Sequence, residues 1–118
     1  MASSTEPRSG IKYGWTLGEN NWNTDMDANL LSIGRFAFHL SVKDRDLATP
    51  PGSPAAGDTY IVAASPTGAW VGHATHVAVW SGSAWVFGTP RTGWMAYIED
   101  EDKVSMFRSS TWSPGLTI

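Results

Sequence analysis

Val77-Ala78-Val79-Trp80-Ser81-Gly82-Ser83-Ala84-Trp85 and Val104-Ser105-Met106-Phe107-Arg108-Ser109-Ser110-Thr111-Trp112 share one pattern: a short alternating run, an aromatic residue, four small or polar residues, then tryptophan. Four residues suffice for a tight turn that sets the two aromatics opposite each other on paired strands, a contact worth roughly 0.2–1 kcal/mol. The pattern predicts two hairpins, each with a tryptophan at one end. Further short runs surround them: Tyr60-Ile61-Val62-Ala63, Trp85-Val86-Phe87 and Trp94-Met95-Ala96-Tyr97-Ile98. Glycine, serine or proline fills most of the gaps, as between antiparallel strands. Residues 57–118 are therefore expected to form a small antiparallel β module, sandwich or barrel-like, of about five to seven short strands, in a chain that is mainly β.

Upstream the character changes. Thr49-Pro50-Pro51-Gly52-Ser53-Pro54 predicts an extended spacer over 42–56, because each proline fixes its own φ and restricts the residue before it. Residues 24–41 predict a helix, with Asn23 or Thr24 as N-cap and Asp25 and Asp27 in the first turn, where the helix dipole favours negative charge. Along it Met26, Leu30, Ile33, Ala37 and Leu40 recur at heptad spacing, the candidate seam of a short self-associating bundle. A single amphipathic helix packed on its own domain is the competing reading, favoured by Gly34, Phe36 and Phe38. Residues 1–23 read as a docking arm followed by a loop anchored by Trp15 and Trp22, since Met1 to Gly14 has no periodic apolar face.

Composition narrows the function. The 118 residues suit one compact domain with an arm. A net charge of -3 provides no basic footprint for nucleic acid, so none is expected as a partner. There is no cysteine, which excludes disulfides and thiolate metal sites. No stretch has the apolar length of a transmembrane helix or a signal peptide, so membrane insertion is not expected. Seven tryptophans beside twelve glycines and seven prolines fit short strands and tight loops.

Chemistry-bearing groups are sparse. Glu99-Asp100-Glu101-Asp102 follows a strand and reads as a solvated turn rather than a glycosidase carboxylate pair. His73 and His76 flank a glycine-bounded loop, but with Asp58 they give no spacing that fixes a third ligand, so neither metal nor cofactor is expected. His39, near the helix end, reads as partly buried or capping. No Gly-x-Ser-x-Gly elbow or phosphate loop is present, and no enzymatic activity is expected. The tryptophans remain: Trp70, Trp80, Trp85, Trp94 and Trp112 have flat apolar faces suited to sugar rings and an indole N–H to donate. At least three of the five are expected in the core. Trp70, in a glycine-flanked loop, is the first choice for exposure.

The run Ser41-Val42-Lys43-Asp44-Arg45-Asp46-Leu47 into Thr49-Pro50-Pro51-Gly52-Ser53-Pro54, then Gly57-Asp58-Thr59-Tyr60-Ile61-Val62, Thr67-Gly68-Ala69-Trp70-Val71-Gly72-His73, Val79-Trp80, Trp85-Val86-Phe87 and Pro90-Arg91-Thr92-Gly93-Trp94 resembles a domain-of-unknown-function family found in tail-region proteins of phages, prophages and gene transfer agents. The resemblance covers about Asn29 to Trp112, and the lead-in from Gly14-Trp15 through Trp22 is similar to that of phage fibre proteins. It implies a virion setting and threefold assembly, and carries no agreed biochemical activity. The expected protein is thus a homotrimeric virion component synthesised in the host cytoplasm: a short tail fibre or fibre adaptor in host attachment, whose arm meets other virion proteins. A capsid-surface head fibre or decoration protein, and an adsorption module that binds host surface glycan, are the alternatives.

Overall fold

The computed structural model describes residues 2–118 and divides into two compact units, Met1–Phe38 and His39–Ile118. In the first, β1 (Ser4–Thr5) and β2 (Lys12–Tyr13) pair antiparallel, so the expected arm is a hairpin. Glu6 makes its turn: its carboxylate accepts the N–H groups of Arg8 and Ser9 and the Ser9 hydroxyl, which hold it below the usual carboxylate range. Helix α1 (Trp22–Ser32) follows, capped by Asn21 in the left-handed region rather than by Asn23 or Thr24, which lie inside it. Asn29 clamps β2 to the helix, accepting the Lys12 N–H at 2.8 Å and donating to the Lys12 carbonyl at 3.0 Å.

The helix is shorter than the expected 24–41. A π turn spans Ile33–Ala37, closed by the Phe38 N–H to the Ile33 carbonyl, and Phe38 is extended. That wider turn rotates Ala37 off the heptad seam, and Leu40 lies beyond it in the second unit. The helix is not packed away as an amphipathic core element: Leu30 is 59% exposed, Ile33 43% exposed, and Leu31 and Trp22 are exposed too.

The second unit holds eight strands: β3 (Ser41–Val42), β4 (Thr59–Ile61), β5 (Val77–Trp80), β6 (Trp85–Gly88), β7 (Met95–Ile98), β8 (Lys103–Arg108), β9 (Thr111–Trp112) and β10 (Leu116–Thr117). Strands β4, β5 and β6 form an antiparallel meander; β10, β8, β7 and β3 form a second sheet in that order, with β9 hairpinned onto β8. The chain is mainly β, and neither sheet closes into a barrel. One pairing departs from the antiparallel expectation, since β3 runs parallel to β7. No helix among the described residues is long and apolar enough to cross a membrane.

Residues 42–56 are not a free spacer. The Lys43 N–H donates to Thr59, and the N–H groups of Ile61, Ala63 and Thr67 donate to the carbonyls of Asp44, Leu47 and Ala48. The segment thereby occupies the outer edge of β4, which would otherwise expose unpaired donors and acceptors. This is why the unit begins at His39 rather than at Gly57.

Both aromatic hairpins form in the expected register. Trp80 faces Trp85, with ring centroids 5.2 Å apart, and Phe107 faces Trp112 at 5.4 Å. The second hairpin turns through Ser109 (φ 53°) and Ser110 (φ 63°), both in the left-handed region. That backbone suits Asn-Gly, and each non-glycine residue there costs roughly 1–2 kcal/mol. Replacing Ser109-Ser110 by Asn-Gly is expected to stabilise the chain by about 1 kcal/mol in denaturant titration, with no change of slope.

Candidate functional site

The meander places Tyr60, Ala78 and Phe87 in one cross-strand row, and strand alternation directs them to the same face. Tyr60, Val62, Trp70 and Ala78 are the buried core of that face, with Leu47, Trp85 and Phe87 packed against it. Ile61, Val77 and Val79, on the opposite face, are buried as well. The central strand is covered on both sides.

Trp70 is the centre of this core and not its exposed tip. The 3-10 turn Gly68–Trp70 starts from Gly68 at φ 60°, and the Trp70 N–H donates to Thr67, which turns the ring inward to 0% exposure. The glycines that suggested a surface loop are the residues that permit this turn. Its indole N–H has no acceptor among the described residues. Trp70 lies 5.8 Å from Tyr60 and 5.2 Å from Trp85, whose ring in turn meets Trp80 edge-on. Three rings thus lead from the buried Trp70 through Trp85 to Trp80, which is partly exposed at the β5–β6 turn. Burial also pushes the Tyr60 hydroxyl pKa up.

The other two tryptophans lie elsewhere. Trp94 and Trp112 flank Phe107: the Trp94 carbonyl accepts the Phe107 N–H, and Trp112 is its cross-strand partner. The Trp112 indole N–H is taken by the Thr75 carbonyl at 2.8 Å. The five candidates therefore divide into two groups and do not line one sugar site. Trp80, with Trp85 behind it, is the part of the set best placed for a flat ligand.

The polar candidates have structural duties. Glu101 pairs with Arg45 through both carboxylate oxygens, each at 2.8 Å, and side-chain exposures of 15% for Arg45 and 22% for Glu101 make this a largely shielded ion pair. The same guanidinium donates to the carbonyls of Ser113 and Pro114 and so ties the segment after β3 to the chain before β10. Arg45 holds Glu101 below the usual carboxylate range. Glu99 accepts the Ser41 hydroxyl and Asp102 the Tyr97 hydroxyl. The acidic turn is thus exposed, but three of its four carboxylates are engaged.

Asp100 is the fourth, and it meets Asp44 and Asp46, one carboxylate oxygen from each lying within 4.8 Å of the others. Partial desolvation and the like charge of Asp44 raise its pKa. Oxygen ligands of this kind suit a hard cation, but exposed acidic groups commonly gather in turns without one. Asp58, considered beside the histidines, instead pairs with Lys43 at 3.4 Å. His73 and His76 do come together, with Nδ1 atoms 3.0 Å apart.

The chain, from within the helix through both aromatic hairpins, matches the family described as "Protein of unknown function (DUF2793)" over residues 27–113. The chain belongs to the DUF2793 family. The DUF2793 region contains most of α1, the edge-covering segment and all five candidate tryptophans, and stops just after Trp112. No curated protein and no solved structure matches the chain.

Proposed function

We propose that this DUF2793 protein is a non-catalytic structural component of a virus particle, a short tail fibre or fibre adaptor that takes part in host attachment. Copies associate through α1 as a homotrimer, and the β unit is the part presented outward. The exposure of the helix carries this reading. Leu30 and Ile33 are exposed, and the sole buried residue in the described part of the first unit is Asn29, a polar clamp. An isolated helix of eleven residues is marginal in water, so an apolar surface of this kind gains most by meeting copies of itself. The seam supporting this is shorter than the heptad pattern, comprising Met26, Leu30 and Ile33 without Ala37 and Leu40. The β1–β2 hairpin is the part assigned to other virion proteins, and a net charge of -3 argues against a nucleic-acid role.

Gold labelling of purified particles with an antibody to the β unit tests the location. Label on the tail is the expected result, label on the capsid surface selects a head fibre or decoration protein, and particles without label overturn the virion reading. Glycan adsorption is the second reading, favoured by the partly exposed Trp80 ring at a hairpin end. On an array of host surface polysaccharides, Trp80→Ala is expected to lose about tenfold in binding, since one stacked ring contributes roughly 1 kcal/mol or more. The melting temperature should move by only a few degrees. Equal binding by wild type and variant removes Trp80 from any glycan site.

A further inference from the structure

The loop between Trp70 and β5 is a joint between parts of the β unit. The Thr75 N–H donates to the Val62 carbonyl and the Val62 N–H to the His76 carbonyl, which fixes the loop on the chain leaving β4. The His73 N–H donates to Trp70 and the His76 N–H to His73, which folds the loop upon itself. From the other sheet, the Trp112 indole N–H reaches the Thr75 carbonyl at 2.8 Å and ties the β8–β9 hairpin to this loop. The two histidine rings complete it. His73 lies flat on Phe87, with centroids 3.6 Å apart and planes 1° from parallel, and its Nδ1 is 3.0 Å from that of His76.

A contact between two Nδ1 atoms works in one charge state. One ring must donate its N–H and the other must accept with a lone pair, so at least one imidazole is neutral. When both rings are protonated, two N–H groups and two positive charges face each other at that distance. The residues packed on the loop are Val62 just after β4, Phe87 in β6 and Trp112 in β9, none of them ionisable, and among the described residues the one charged group that bears on His76 is His73. Burial, and secondarily the charge of His73, hold the His76 pKa below the ordinary histidine value.

We propose that the His73–His76 pair is an acid-sensitive latch: double protonation breaks the Nδ1 contact, frees the loop carrying the Thr75 carbonyl, and loosens the β8–β9 hairpin held through Trp112. The sign follows from linkage. A base whose folded pKa is depressed leaves the unfolded chain holding more protons, so its contribution to stability is complete above about pH 6.5 and is lost as pH falls through the folded value. Unperturbed carboxylates titrate well below this window.

The test uses the full chain at about pH 7.5 and about pH 5.5, a range in which histidine titrates. Melting temperature is read together with NMR protection factors of the Trp112 indole N–H and the Thr75 amide. The wild type is expected to melt several degrees lower at the acid value, with both protection factors about tenfold smaller. His73→Gln and His76→Gln, which cannot titrate, are expected to flatten the response, and His39→Gln to keep it. Unchanged protection in the wild type, or an equal acid response in both glutamine variants of the pair, overturns the latch. Should those variants fail to fold, the ring nitrogen shifts of the wild type decide: the second protonation of the pair must coincide with the loss of Trp112 protection. Titration of both rings with protection intact overturns it.

Discussion

Trp70→Ala is expected to cost about 3–5 kcal/mol, the range for deleting a fully buried large aromatic, and to lower the melting temperature by well over 10 °C in a unit of this size. Removal of the ring leaves Tyr60, Trp85 and Val62 facing a void, and the dispersion contacts of its two aromatic pairs, tilted with Tyr60 and edge-on with Trp85, are lost with it. Trp70→Phe separates the ring from its polar atom. It keeps an aromatic in the cluster and removes an indole N–H that is buried without an acceptor, so its cost should be less than half that of alanine, about 1–2 kcal/mol. Calorimetry on both variants checks the pair of values. A Trp70→Ala protein that melts like the wild type would mean that the ring is at the surface and the core lies elsewhere.

Arg45→Met is expected to destabilise by about 2–3 kcal/mol, somewhat below the cost of breaking a fully buried pair because both side chains retain some solvent. The substitution preserves the apolar stem but leaves Glu101 and the Pro114 carbonyl without their guanidinium donor, while the Ser113 carbonyl keeps the Ser105 hydroxyl at 2.7 Å. The loss depends on pH in a defined direction. Arg45 depresses the Glu101 pKa, so the pair's contribution is fully present above the unfolded carboxylate value of about 4.3 and is lost as pH falls through the folded one. Urea melts of wild type and variant should therefore differ most near neutrality and converge below about pH 4. A difference that persists undiminished in acid would assign the effect to packing of the arginine stem.

What was legible in the sequence is what is local. The aromatic, four residues, tryptophan pattern fixes both register and turn within ten residues, and both hairpins follow it, Trp80 on Trp85 and Phe107 on Trp112. The strands between 57 and 118 number seven, from β4 to β10, within the expected range. The errors come from contacts distant in sequence. Three prolines near residue 50 read as a spacer because each fixes its own φ and restricts the residue before it, yet the neighbouring residues 43–48 accept and donate along β4. Trp70 reads as exposed because glycines surround it, whereas Gly68 supplies the left-handed φ that turns it inward. Glu101, within an acidic run that reads as a solvated turn, is anchored by Arg45 from 56 residues away. The heptad count assumed an unbroken α-helix with an apolar repeat of 3.5 residues and was interrupted by the π turn at Ile33–Ala37.

The proposed fibre role depends most on the exposed helix being a contact between copies. Its most direct test is the solution mass of the wild type and of Leu30→Asp by light scattering, with circular dichroism on the same samples. Burying one leucine contributes roughly 1.5–3 kcal/mol per chain, and a carboxylate in its place at a threefold contact opposes assembly by several times that amount. The expected result is a trimeric mass for the wild type that falls to the monomer in the variant with the β spectrum intact. A wild type that stays monomeric at high concentration, or a variant that remains trimeric, would contradict the account.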